Sequence, residues 1–213
     1  MLGIIFTGGD GPAPEIIRRE LDGKTHFCIA ADSGLVAAER AGIKPDCIIG
    51  DMDSVAASRL AAYPPECIMR HDTDKDYTDT ELALTAAIER GCEIWIIGGG
   101  GGRLDHLFGI RSLFERDVFP RRWITDTADI RCVDAASGDR LSLALEKGAL
   151  VSVFPLGAGP WKAKSSGLKW RLDDLKWNRG FFGLSNVVVD GYFSIAAEQG
   201  RFMVILPLHA RSK

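Results

Sequence analysis

The stretch Ile94-Trp95-Ile96-Ile97-Gly98-Gly99-Gly100-Gly101-Gly102-Arg103-Leu104 decides the fold of the first half of this chain. Its first four residues are apolar without a break. A strand covered on both faces needs that pattern, whereas a strand with one wet face alternates. Glycines follow, and residues 104–116 then read as a helix. Working outward, residues 2–6, 27–30, 47–49, 67–70 and 123–125 are further short apolar runs. Residues 12–21, 34–41, 55–61 and 79–90 carry helical patterns between them. Strand and helix in alternation predict an α/β domain with a mainly parallel sheet, Rossmann-like and three-layered, over residues 1–126. One helix start is explicit. In Thr78-Asp79-Thr80-Glu81, Thr78 fits the N-cap and Glu81 the third position of a capping box, and Gly91 suits the other end.

Beyond residue 126 the grammar changes. Residues 140–145, 150–154, 168–172, 186–189, 192–198 and 202–206 are short runs with period-two or continuous apolar character. The turn pairs Ser137-Gly138, Lys147-Gly148, Asp190-Gly191 and Gln199-Gly200 separate several of them. Residues 127–213 are therefore expected to form an all-β sandwich domain.

Bulk properties remove several function classes. A net charge of −3 over 213 residues argues against a nucleic-acid partner, which calls for clustered Lys and Arg. No apolar run reaches the roughly 20 residues of a bilayer span. The opening MLGIIFTGGDGP has no basic region and no small-residue cleavage site, so it reads as a first strand and not as a signal peptide. The five cysteines are scattered, with no C-x-x-C pair, and fit a reducing cytoplasm.

Acids recur at the ends of the expected strands. Asp32 follows the second, Asp51 and Asp53 the third, Asp72, Asp74, Asp76 and Asp79 the fourth, and Asp105 the fifth. Open parallel sheets bind ligands just beyond the carboxyl ends of their strands. If residues 50–54 run extended, Asp51 and Asp53 point the same way. Carboxylate oxygens are the hard donors that Mg²⁺ takes together with substrate phosphates. The competing reading of each acid is a helix cap or turn residue, and for Asp51 and Asp53 alone the two readings are evenly matched. Four strand ends presenting acid favour a cation, since like charges gathered at one rim repel without one. The glycine run permits close backbone approach to phosphate at a helix start, with Arg103 adding a charged contact. Neither a dinucleotide fingerprint nor a Walker loop fits, because Arg103 and Arg18 stand where glycine or alanine is required. Gly8-Gly9-Asp10-Gly11 is a weaker second phosphate-loop candidate. His26, His71 and His209 lack metal-ligand spacing, and His106 is notable only for adjoining Asp105.

Six pieces in order resemble the thiamine pyrophosphokinase family. They are Ala31-Asp32-Ser33-Gly34, the run Pro45 to Ser54 containing Gly50-Asp51-Met52-Asp53, Lys75-Asp76-Tyr77-Thr78-Asp79-Thr80-Glu81, Gly102-Arg103-Leu104-Asp105-His106, Ser166-Gly167-Leu168-Lys169-Trp170 and Leu184-Ser185-Asn186. The resemblance covers nearly the whole chain. It implies diphosphate transfer from ATP to the thiamine hydroxyl with release of AMP, in a homodimer whose site lies between subunits. It implies Mg²⁺ on Asp51, Asp53 and Asp79 with Asp32 near them, and catalytic contacts from Arg103 and Asp105. It further implies substrate contacts from Asp76 and Thr78, Trp170 stacked on the aminopyrimidine ring, and Ser185 and Asn186 lining its pocket. Without it, Trp170 reads as an ordinary strand core residue. The Thr7–Pro12 loop follows the family pattern only loosely, and residues 173–183 form a connection without an assigned place. Two other readings stay open: a phospho- or nucleotidyl-transferase on another small alcohol, and a non-catalytic nucleotide or thiamine sensor.

Overall fold

The computed structural model describes residues 1–208, so His209 lies outside the described residues. The chain divides into two compact units, Met1–Asp126 and Thr127–Lys213.

In the first unit, β1 (Leu2–Phe6), β2 (His26–Ala31), β3 (Cys47–Gly50), β4 (Ile68–Arg70), β5 (Glu93–Ile97) and β6 (Arg122–Ile124) are laid in the order β6-β5-β1-β2-β3-β4. Every pair is parallel, with Ile4 of β1 opposite Cys28 on one side and Trp95 on the other. The helices are α1 (Pro14–Leu21), α2 (Gly34–Arg40), α3 (Ala57–Leu60), α4 (Asp79–Glu89) and α5 (Leu104–Leu113). All of β1 is buried, as is β5 from Ile94 onward, which accounts for their unbroken apolar sequences. Ile17 and Leu21 of α1 and Ala38 of α2 pack on Ile4, Phe6, Trp95 and Ile97. Helix α4 lies against β1, β2, β3 and β5. A Cβ on Gly34 would stand 2.1 Å from the Phe6 carbonyl oxygen, so glycine there lets α2 start directly over the end of β1. The strand order reverses direction between β1 and β5, which makes the crevice beyond their carboxyl ends the expected ligand position.

The second unit holds two antiparallel sheets. One has the order β11-β9-β13-β7, with β7 (Ala128–Asp134), β9 (Leu150–Leu156), β11 (Gly183–Val187) and β13 (Arg201–Pro207). The other has the order β10-β12-β8, with β8 (Arg140–Ala144), β10 (Lys162–Ser166) and β12 (Tyr192–Gln199). Val133, Val153, Phe193, Ile195, Phe202 and Val204 share the core between them, as a sandwich requires.

One expectation is corrected and two gaps are filled. Residues 168–172 are not a strand. Leu168 makes an isolated bridge to Val188, and Leu172 opens a 3-10 turn, Leu172–Asp174. The alternation there comes from a bend that buries Leu168 and Leu172 and leaves Trp170 out. Strands β7 and β10 carried no expectation, because charged or small polar residues interrupt Ala128–Asp134 and Lys162–Ser166. The unplaced connection after Leu172 is anchored by Trp177, which is buried edge-on against Phe202 with ring centroids 4.9 Å apart. Of the cysteines, Cys28, Cys47 and Cys92 are buried, Cys67 and Cys132 are partly so, and all five are free thiols. Among the described residues, no helix is long and apolar enough to cross a membrane.

Candidate active site

A cavity of about 1030 Å³ opens at the carboxyl ends of the first unit's strands. The loops after β1, β2, β3, β4 and β5 all line it, with Asp32, Asp51, Lys75, Asp79, Arg103 and Asp105 among the lining residues. Two glycine loops form one wall and are clasped together. The Asp10 N–H donates to the Gly100 carbonyl at 2.7 Å, the Gly100 N–H returns to the Asp10 carbonyl at 2.8 Å, and the Gly99 N–H reaches the Gly8 carbonyl at 2.8 Å. The loosely matching Gly8–Gly11 segment is thus built into the wall of the cavity.

The carboxylates of Asp32, Asp51 and Asp53 offer oxygens within 4.8 Å of one another. Asp79 joins them from α4. A Cβ on Gly50 would meet the Asp79 Cγ and the Asp32 Cβ, each at 3.2 Å, and Gly50 holds a φ of 154°. Glycine at position 50 therefore leaves the room in which these side chains meet. The convergence does not arise from an extended chain as expected. Met52 is left-handed, with φ 64°, and Asp51 Oδ1 accepts the Asp53 N–H at 3.1 Å, so residues 51–53 turn. Asp32 is also left-handed, with φ 46°, and its N–H donates to the Ile49 carbonyl at 2.9 Å. Non-glycine residues in this region cost about 1–3 kcal/mol each and collect at functional sites.

Of the competing reading as cap or turn residue, the capping half fails for the acids before α3 and α5, while Asp51 does act as a turn residue. The N-cap of α3 is Ala56, with no side-chain cap, and Ser54 donates instead to Asp53 Oδ1 at 2.8 Å. The N-cap of helix α5 is Arg103, also without a side-chain cap. Among the described residues only α4 has a capping box: the Glu81 N–H donates to Thr78 Oγ1 at 3.3 Å and the Thr78 N–H to Glu81 Oε2 at 2.9 Å. That cap fixes Asp79 at the first helical position, where the helix field favours a carboxylate.

The buried Oδ1 of Asp32 has no hydrogen-bond partner. An ionised oxygen buried in this way is costly unless a cation meets it. Several hard oxygen donors converge there, so the residues fit Mg²⁺. Asp79 also meets a cation of the protein itself. Its Oδ1 faces the Lys75 ammonium at 3.0 Å, as a charge contact without an aligned hydrogen bond, and Lys75 also stands 3.7 Å from Asp51 Oδ2. The hydrogen bond from the Asp53 N–H is the largest effect on the Asp51 carboxyl; burial opposes it, and the Lys75 charge adds to it, so the carboxyl lies below its usual range. Burial alone would lower the Lys75 pKa, but Asp79 and Asp51 together outweigh it and raise it.

At the mouth, Arg103 grips Asp105 through two hydrogen bonds, at 3.1 and 2.5 Å, and both side chains are exposed. The Arg103 hydrogen bond is the main reason the Asp105 pKa falls to about 2. Asp76 and Thr78 line the cavity, whereas Asp72 and Asp74 are exposed outside its lining. His106 lines it too, while His26 and His71 do not.

In the second unit, Trp170 is 52% exposed, which overturns its reading as a strand core residue. Asn186 is buried and holds it from behind. The Trp170 N–H donates to Asn186 Oδ1 at 3.1 Å, and Asn186 Nδ2 donates to the Trp170 carbonyl at 2.6 Å. Ser185 is exposed, with φ 55°. Together with Asp32 and Met52 it completes the left-handed non-glycine positions among the described residues. Sequence reading assigned no role to Lys75. A lysine four residues before Asp79 was the available signal, and it pointed only to an ordinary helix-flanking ion pair.

Two family models match the chain. "Thiamin pyrophosphokinase, catalytic domain" matches residues 19–120, and "Thiamin pyrophosphokinase, vitamin B1 binding domain" matches residues 140–201. The chain belongs to the thiamin pyrophosphokinase family. Thiamine pyrophosphokinase 1 of Oryza sativa subsp. japonica is 26% identical over 196 residues, covering 84% of this chain and 72% of that protein. The thiamine pyrophosphokinase of Bacillus subtilis (strain 168) is 36% identical over 94 residues, covering 42% of this chain and 44% of that protein. The crystal structure of thiamine pyrophosphokinase from Bacillus subtilis has the same fold, with a TM-score of 0.77 at 22% identity, covering 97% of this chain and 98% of that one. Among the residues of this family member that the models cover are Asp32, Asp51, Asp53 and Asp79 by the first, and Trp170, Ser185 and Asn186 by the second.

Proposed function

We propose that this enzyme transfers diphosphate from ATP to the hydroxyl of thiamine, releasing AMP, with Mg²⁺ held by the Asp51, Asp53 and Asp79 carboxylates and Asp32 beside them. Membership of the family carries the activity. The meeting of carboxylates from separate loops around the unpartnered Asp32 Oδ1 is the observation that carries the metal.

Transfer at phosphorus needs alignment and charge neutralisation more than covalent help from the protein. When bound, Mg²⁺ supplies positive charge to the phosphate oxygens. The chain's residues do the rest. The clasped glycine loops offer backbone N–H groups and leave room for a polyphosphate. Arg103 neutralises charge on the AMP side by exchanging Asp105 for phosphate. Asp79 or Asp32 accepts the hydroxyl proton. Asp76 and Thr78 line the approach. Trp170 presents an open aromatic face to the aminopyrimidine ring, with Ser185 beside it and Asn186 fixing its backbone.

A homodimer is part of the same reading. Each unit exposes large apolar side chains: Leu104 and Phe108 on α5 in the first, and Trp170, Phe182 and Leu184 in the second. Surfaces of this kind mark contacts.

The test is product analysis after mixing protein, thiamine and Mg²⁺-ATP. Thiamine diphosphate and AMP in equal amounts are expected. ADP with a monophosphate product would make the enzyme a simple kinase. Saturable binding without any product would make it a sensor.

A further inference from the structure

The acid cluster is already partly neutralised by the protein itself. Lys75 leaves the otherwise exposed loop between β4 and α4 and lays its ammonium against Asp79 and Asp51, with only 16% of the side chain exposed. The Asp32 Oδ1 nearby has no partner, and Asp53 is open to solvent. A divalent ion held by Asp51, Asp53 and Asp79, with Asp32 beside them, would therefore share Asp51 and Asp79 with a lysine ammonium. Two cations on one carboxylate repel, and part of the attraction the metal should feel is spent against Lys75. Lysine suits such a place because its charge is compact and its stem flexible, so it can leave once another anion offers itself. The phosphates of an incoming nucleotide are such anions, and Lys75 lines the same cavity.

We propose that Lys75 is a resident counter-cation, a positioning residue that holds Asp51 and Asp79 together before metal binds and makes metal entry depend on nucleotide phosphate to draw its ammonium away. This rests on the acid cluster being the metal site. The ion alone then binds weakly. Metal and nucleotide favour each other because both oppose the same lysine contact.

The experiment measures binding of Mn²⁺ alone by electron paramagnetic resonance of the free ion. The proteins are the wild type, Lys75→Met, Lys75→Gln and Lys75→Arg, and Asp53→Asn in the wild-type and Lys75→Met backgrounds. Thermal melts check that each is folded, and the amide variant serves if the methionine variant is not. Removing the charge should tighten Mn²⁺ binding about tenfold or more, the scale of one close charge in a partly wet site. Lys75→Arg should stay near wild type, and Asp53→Asn should undo the gain. Equal or weaker Mn²⁺ binding in both uncharged variants, with Asp53→Asn still weakening it, overturns the role of Lys75 and leaves the metal site standing. No effect of Asp53→Asn in either background overturns the metal site and this inference with it.

Discussion

The two units present their expected substrate contacts in opposite ways. In the first, acids from separate loops are folded inward over a glycine, and the cost is written into the backbone: Asp32 and Met52 are left-handed and an Asp32 oxygen lacks a partner. In the second, Trp170 stands out in solvent, and what is buried is its support, Asn186. A metal needs several oxygens placed to within tenths of an ångström, so its ligands have to be arranged before it arrives. An aromatic stack needs a flat open face and a fixed backbone, so only the anchor is interior.

The sharpest way to break this contrast is at Asp53. It is exposed, and Asp53→Asn should fold normally, yet kcat should fall by about a hundredfold or more, the scale for losing a group that stabilises transition-state charge. Near-native turnover would remove it from the metal set. Next in size is Trp170→Ala. Stacking on an aromatic is worth about 1–3 kcal/mol, so the thiamine KM should rise by about 5- to 150-fold while the ATP KM and the melting temperature hold. An unchanged thiamine KM would take Trp170 out of the site.

How much of this was legible follows from what each residue answers to. The parallel sheet was readable because β1 and β5 are buried on both faces, and burial writes itself as unbroken apolar sequence. The α4 capping box was readable because its partners are three residues apart. Strand β10 was hidden by the lysines of Lys162–Ser166, on a face that is not core. The expectation that Asp51 and Asp53 would converge was met by a different geometry, since the Met52 turn cannot be read from residue types that also allow an extended chain. Lys75 was missed for a related reason. Its contact with Asp51 depends on bringing the β3 and β4 loops side by side, which no local pattern records.

Smaller effects sharpen the comparison. Asn186→Ala removes both hydrogen bonds to the Trp170 backbone and the one that the Val187 N–H donates to Asn186 Oδ1 at 2.9 Å. A loss of about 1–3 kcal/mol in urea unfolding is expected, because buried backbone groups lose their partners, together with a weaker thiamine KM. If stability falls while the thiamine KM stays put, the anchor is structural only. The smallest effect is at Asp105. Its folded pKa is depressed to about 2, so the stability it contributes is complete above the ordinary carboxyl pKa and disappears as pH falls through about 2. Both partners are exposed and screened, so Asp105→Asn should remove only a slight, salt-sensitive part of the acid loss below pH about 4. An unchanged acid profile at low salt would mean the pair contributes nothing to folding.

The central claim is that the acids at the strand ends form one metal site that meets ATP. Anomalous diffraction from crystals grown with Mn²⁺ and ATP tests it directly. The account predicts a peak about 2.0–2.3 Å from oxygens of Asp51 and Asp53, with Asp32 or Asp79 in reach and Lys75 turned toward phosphate. Bound ATP with no peak among these carboxylates, or a peak held elsewhere, would contradict it.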